Sequence, residues 1–263
     1  MKKIRSLVKI TMKVKMYYTK ALWFNVLGMT VSILIYYYLW KYAFSSRDTL
    51  RGFTETEMVT YVILARILST QFSGGVNKEL STWMYKGNIL IELLRPISLE
   101  ANVFSRKLGE TCSFFLFQGF PMALASFLLL GGILPQSIIS FAFFLISILC
   151  SVIILFWLEF IVGLCSIYTL NSNGISLAKG AIFSILSGGI VPISFFSEGL
   201  AQILELLPFS GMVSVPVNIY LSKYNELESI CYIVLQIGWI FLLAIFGRMF
   251  FKRIIKKVIV QGG

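Results

Sequence analysis

No histidine occurs in the chain, acidic side chains number only 12, and charged residues make up 13% of 263 positions. The first absence removes the commonest general base and metal ligand at neutral pH. The scarcity of carboxylates, with no paired acidic motif in any apolar stretch, removes the usual arrangements for metal-assisted hydrolysis. A membrane-embedded enzyme is therefore a poor fit. Cysteine is equally uninformative about redox chemistry. Cys112, Cys150, Cys165 and Cys231 show no Cys-x-x-Cys spacing and fall in apolar stretches, where they read as small apolar fillers. After the basic start, no short apolar core leads to an Ala-x-Ala-like cleavage site, so the first apolar helix is expected to stay.

What the chain has instead is apolar length. Hydrophobic residues are 57% of the sequence and the mean hydropathy is +0.84. A helix rising ~1.5 Å per residue needs roughly 20 apolar residues to cross about 30 Å of hydrocarbon. Six stretches qualify, at about 21–44, 58–76, 104–132, 137–168, 175–196 and 228–251. The expected fold is an all-α integral membrane protein in one transmembrane domain, with an amino-terminal interfacial helix over 1–20, a cytoplasmic loop over 77–103 and an external helix and loop over 197–227.

Orientation follows from Lys and Arg, which collect on the cytoplasmic side. With the amino terminus inside, eighteen of the 23 basic residues fall in inner segments: those from Lys2 to Lys20, then Lys78, Lys86, Arg95, Arg106, Lys107, Lys179, and those from Arg248 to Lys257. Outer loops hold only Arg47, Arg51 and Lys223. Both termini are thus expected in the cytoplasm, in a bacterial plasma membrane. A basic rim against anionic lipid accounts for the net charge of +11 without a nucleic-acid partner.

The inner loop carries "YKGNILIELLRPIS", residues 85–98. Ile89, Leu90, Leu93 and Leu94 share one side at helical spacing, Glu92 and Arg95 lie off it, and Pro96 ends the turn. This short amphipathic helix suits the inner leaflet and a partner's groove equally well. The amino terminus places Ile4, Leu7, Val8, Ile10, Met12 and Val14 on one broad arc among seven basic side chains, a lipid-anchoring pattern. Farther on, Leu200, Ile203, Leu204 and Leu207 make an apolar stripe over 197–208. Pro192 and the Gly188–Gly189 pair predict a bend before it, a candidate gate that includes Leu207 and Pro208 and that reads equally as a packing kink. Two ionisable side chains lie within spans and need partners, because charge in hydrocarbon is costly. Arg66 sits near mid-span. Glu159 sits close to the inner interface, with Lys179 as its expected partner. Arg106 and Glu110 are spaced as a local i, i+4 pair.

The "GNILIELLRPIS" string, Gly87 to Ser98, resembles the "LLRP" segment of type-2 ATP-binding-cassette (ABC) exporter permeases. "SGGIVPISFFSEGLAQILELLPFSGMVSVP", Ser187 to Pro216, is similar to that family's proline-broken fifth helix, external helix and "LPF". The likeness follows the order of elements along nearly the whole chain. It implies a permease without its own cofactor, working with a second permease chain and with separate ATPase subunits that use ATP and Mg. The phosphate-cradling loop G-x-x-x-x-G-K-[ST] is absent from the sequence, which agrees with an ATPase on another polypeptide. The likeness also implies that Gly87 to Pro96 couples to the ATPase, with Leu90, Leu93 and Leu94 in its groove and Glu92 and Arg95 as polar contacts, and that the amino-terminal helix cradles the same contact. The aromatic content of 15% suits interfacial belts and tight packing as well as an amphiphilic cargo, and with no large polar lining in the sequence the expected cargo is hydrophobic or amphiphilic, such as a drug, peptide antibiotic or lipid. An ion-gradient-driven carrier is the alternative, although the two halves show no inverted repeat.

Overall fold

The computed structural model describes residues 2–17, 19–73, 75–165 and 172–261. Four helices in it are long and apolar enough to cross a membrane: Leu22–Ala43, Leu99–Leu130, Ile138–Cys165 and Glu226–Lys256. They belong to α2 (Thr19–Ala43), to α6 (Leu99–Phe114) continued by α7 (Phe120–Leu130), to α8 (Ile138–Cys165) and to α12 (Glu226–Gln261). Helices α8 and α12 pack side by side along much of their length. Their contact tightens at Gly247, where a Cβ would come within 2.8 Å of the Trp157 ring.

The other two apolar stretches form shorter helices. Thr54 caps α3 (Glu55–Ser69), accepting from Glu57 N at 3.3 Å while the Glu57 carboxylate accepts from Thr54 N at 2.8 Å. This box fixes the start of a helix whose Met58–Ala65 run is buried on every side. The expected 58–76 span does not continue as one helix. Beyond Ser69 the chain tightens into a 3-10 turn over Thr70–Ser73, and α4 (Val76–Tyr85) is a separate helix. Fifteen residues make α3 about 22 Å long. Helix α9 (Ser172–Leu186) is equally short, ending well before Pro192. Gly188, at φ +79°, turns the chain, and a Cβ there would meet the Tyr61 hydroxyl at 2.8 Å. The break therefore begins at the glycines, and Pro192 only starts a later 3-10 turn over Ile193–Phe195.

After α10 (Glu198–Leu206) the chain goes back into the bundle. A 3-10 turn over Ser210–Met212 and α11 (Ser214–Tyr220) are buried against α8 and α3, so the second half of the 197–227 segment is core. Exposed backbone at this depth needs polar partners. The Gly211 carbonyl accepts from Ser151 Oγ at 2.6 Å and from Gln236 Nε2 at 2.7 Å, and Ser210 Oγ donates to the Glu205 and Leu207 carbonyls that end α10. On the α10 stripe only Leu204 is buried; Leu200 and Ile203 face outward.

The third long span is irregular in the middle. Phe115–Gly119 forms a π turn between α6 and α7, directly before Pro121, whose ring removes a backbone donor. At the other end, α1 (Lys2–Tyr17) lies along α6. The two backbones approach closely at Gly109, where a Cβ would fall 2.7 Å from the Val8 carbonyl oxygen and 2.8 Å from Thr11 Cβ. Close approach of this kind is what small residues allow between helices. Gly109→Leu is expected to lift α1 off α6 at a cost of about 1–3 kcal/mol. Trypsin should then cut at Arg5 and Lys9 faster in the solubilised chain, with a lower melting temperature; an unchanged digest and melting curve would show that this contact does not hold α1.

Candidate functional site

Glu159, on α8, is fully buried, and two ammonium groups reach it. Lys179 Nζ on α9 lies 2.8 Å from Oε1, and Lys107 Nζ on α6 lies 3.2 Å from Oε2. Val76 N donates to Oε2 at 3.3 Å, and Lys179 also donates to Asn77 Oδ1 at 2.8 Å. Four elements therefore converge on one carboxylate. Gly75, at φ +105°, lets the chain pass: a Cβ there would come within 2.7 Å of Glu159 Oε2 and 3.1 Å of Lys107 Nζ. The expected Glu159–Lys179 pair is present. Lys107, which the sequence shows only as one of the basic residues of the inner segments, is buried.

A second polar cluster fixes the segment from Gly87 to Pro96. Gly87 turns the chain at φ +70° and α5 (Ile89–Leu93) follows. Ile89 is buried and Leu93 packs against the core, while Leu90 and Leu94 face outward, Leu94 at 86% exposure. The four apolar side chains thus divide between two faces. Glu92 points inward, where it accepts from Asn102 Nδ2 at 2.7 Å and pairs with Arg95 at 2.9 Å and Arg106 at 3.9 Å. Arg106 also pairs with Glu79 at 2.9 Å and lies over the Trp83 ring. Burial holds the Glu79 carboxyl above its ordinary range, against the pull of Arg106. The expected Arg106–Glu110 pair does not form, because the Glu79 and Glu92 carboxylates of α4 and α5 take Arg106; Glu110 pairs instead with Lys15 of α1 at 2.7 Å. Arg95, Pro96 and Ile97 border a groove of about 400 Å³ whose other wall is Lys3, Leu7 and Ile10 of α1.

Arg66 lies elsewhere, on a cavity of about 750 Å³ bounded by α1, α2, α3, α6 and α9. Its guanidinium stacks over the Tyr36 ring at 4.6 Å, and among the described residues no carboxylate pairs with it. The glycine break borders this region. Tyr61 donates to the Gly188 carbonyl at 2.8 Å, and a Cβ on Gly189 would strike Ser69 Oγ, which lines the cavity. Of the other gate residues, Pro192 and Pro208 are buried and Leu207 is half-buried at the end of α10.

Apolar helices around an internal polar cavity, with a braced segment presenting leucines outward, define a membrane transport subunit. The family described as ABC-2 family transporter protein matches residues 28–262, and the chain belongs to that family. It is the membrane component of an ABC transporter, the transport subunit rather than the ATPase. No curated protein matches the chain.

Removing one partner from a buried ion group leaves the others uncompensated. Glu159→Gln strands two buried lysines, and about 3–5 kcal/mol of stability should go with it. Lys179→Met leaves Glu159 paired with Lys107 and should cost distinctly less. Melting curves of the two variants in detergent check the order, and equal losses would show that Lys107 does not share the carboxylate.

Proposed function

We propose that the chain is the permease of an ATP-driven exporter, with six spans, both termini in the cytoplasm of a bacterial cell, and α1 partly in the lipid interface. Two permease chains, identical or paired with a different one, form the path. Two ATPase subunits bind ATP and Mg and dock on the segment from Gly87 to Pro96; the permease binds no cofactor of its own. The cargo is hydrophobic or amphiphilic, and the bend at Gly188, Gly189 and Pro192 with Leu207 and Pro208 gates its exit.

One observation carries the reading: Leu90 and Leu94 stand exposed, and Arg95, paired with Glu92, borders the α1 groove, on a segment that Glu92, Arg106 and Glu79 brace. A side chain as exposed as Leu94 adds nothing to the fold alone, and an apolar anchor beside a groove is what a partner helix or loop takes up. Glu92 serves this reading as a brace, and Arg95 as the polar contact.

Leu94→Asp is expected to abolish copurification of a coexpressed partner ATPase, since the contact would bury an unpaired carboxylate. Arg95→Ala should leave assembly intact and lower ATP-driven export. Normal ATPase binding and transport in Leu94→Asp, with normal membrane insertion, would remove the coupling role. For orientation, a cysteine at Asn225 on a background free of native cysteines should react with an impermeant reagent in intact cells, and one at Ser6 should react only after permeabilisation. Labelling of Ser6 in intact cells would reverse the topology.

A further inference from the structure

Part of the wall of the 750 Å³ cavity is polar, and several of its groups lack partners. Among the described residues, Ser69 Oγ, Ser113 Oγ, Gln118 Oε1 and Arg66 Nε are buried with no hydrogen-bond partner, and all four residues line it. Ser113 and Gln118 are at least 95% buried, so bulk water does not satisfy them. Buried polar groups are ordinarily paired, and several unpaired ones around one space mark a place for a ligand. Gln118 lies in the π turn, a distortion often found at functional sites.

Charge narrows the ligand. Lys15, Arg66 and Lys107 face the cavity against a single carboxylate, Glu110. Glu110 is taken by Lys15 and Lys107 by Glu159, which leaves Arg66 as the lining cation without a counter-ion among the described residues. A guanidinium offers a planar fork that fits phosphate, sulfate or carboxylate, and hydroxyl and amide groups nearby complete such a shell. Met29, Phe72 and Phe114 supply an apolar wall to the same space. Its volume is in the range of ordinary small-molecule pockets, enough for a headgroup and the start of a chain.

We propose that this cavity binds an amphiphile by its acidic headgroup, with Arg66 as the counter-ion and Ser69, Ser113 and Gln118 as hydrogen-bonding partners. The proposal rests on the transport reading only for what happens to the molecule afterwards. The acidic amphiphile comes either from the resident membrane lipid or from the exported cargo.

The test is native mass spectrometry of the full chain in nonionic detergent, titrated with phosphatidylglycerol and with phosphatidylcholine of the same acyl chains. Retention of the acidic lipid should exceed that of the zwitterionic one by roughly tenfold, as expected for a charge-assisted contact out of water. Arg66→Gln should reduce the preference to about twofold, and Arg66→Lys should keep most of it as a point charge. Arg253→Gln, a surface change on α12, should leave it intact. Competition on the unaltered chain by decyl phosphate but not by decyl maltoside gives a readout free of any folding defect. Equal retention of both lipids, a preference that survives Arg66→Gln, or no competition by decyl phosphate would overturn the site. With the ATPase assembled in vesicles, loss of the bound amphiphile on ATP turnover identifies transported cargo, and persistence identifies a resident lipid. The titration needs no ATPase, so its failure leaves the docking reading standing, and failed docking leaves this site standing.

Discussion

The ion group around Glu159 is the constraint on which the rest of the bundle depends. A lone carboxylate away from water would cost more than a helix contact returns, and so would either lysine. Together they leave one net positive charge shared over three side chains, with Asn77 and a backbone N–H completing the shell. Each of these groups is satisfied only if α6, α8, α9 and the start of α4 meet at this point. Leucines on these helices could slide past one another at small cost, whereas the ion group has one good geometry. It therefore sets the register that apolar packing leaves loose.

From this point the polar framework extends in both directions. Helix α4 begins at the ion group and carries Glu79, which holds Arg106, which in turn reaches Glu92 on the exposed segment. On the other side α9 carries Lys179 and, after Leu186, leads to the Gly188 turn held by Tyr61. The Gly87–Pro96 segment and the glycine break are thus attached to the same four-helix junction, one through α4 and one through α9. The cavity with Arg66 shares two of these helices, α6 and α9, with the junction.

Hydropathy alone made the long helices legible, because α8 and α12 are apolar over lengths that only a span requires, and the family likeness was carried by two short strings around Arg95 and Pro192. The Glu159–Lys179 pair was legible for a related reason: few ionisable residues occur in those stretches. Other features depend on contacts that a linear reading does not contain. Arg106 has Glu110 at helical spacing, but Glu79 and Glu92 come from elements that fold back over it, and desolvation on that side favours the long-range pairs. Lys107, adjacent to Arg106, points the opposite way into the bundle, which no periodicity in its polar neighbourhood announced. The burial of Ser210 to Tyr220 was hidden because a 3-10 turn and a seven-residue helix produce no span-length signal. The outward direction of Leu90 and Leu94 was lost in a stretch where nearly every residue is apolar, so that several faces read alike.

Helix α12, at 36 residues, is about 54 Å long, well beyond the roughly 30 Å of hydrocarbon it has to cross. Its tightest crossing is the contact of Gly247 with Trp157, and next to it Arg248 reaches Glu100 at 3.2 Å, on the first turn of α6. That crossing divides α12 into unequal arms of about 32 Å and 21 Å. A rigid rod turning about such a fulcrum moves its Glu226 end about one and a half times as far as its Gln261 end.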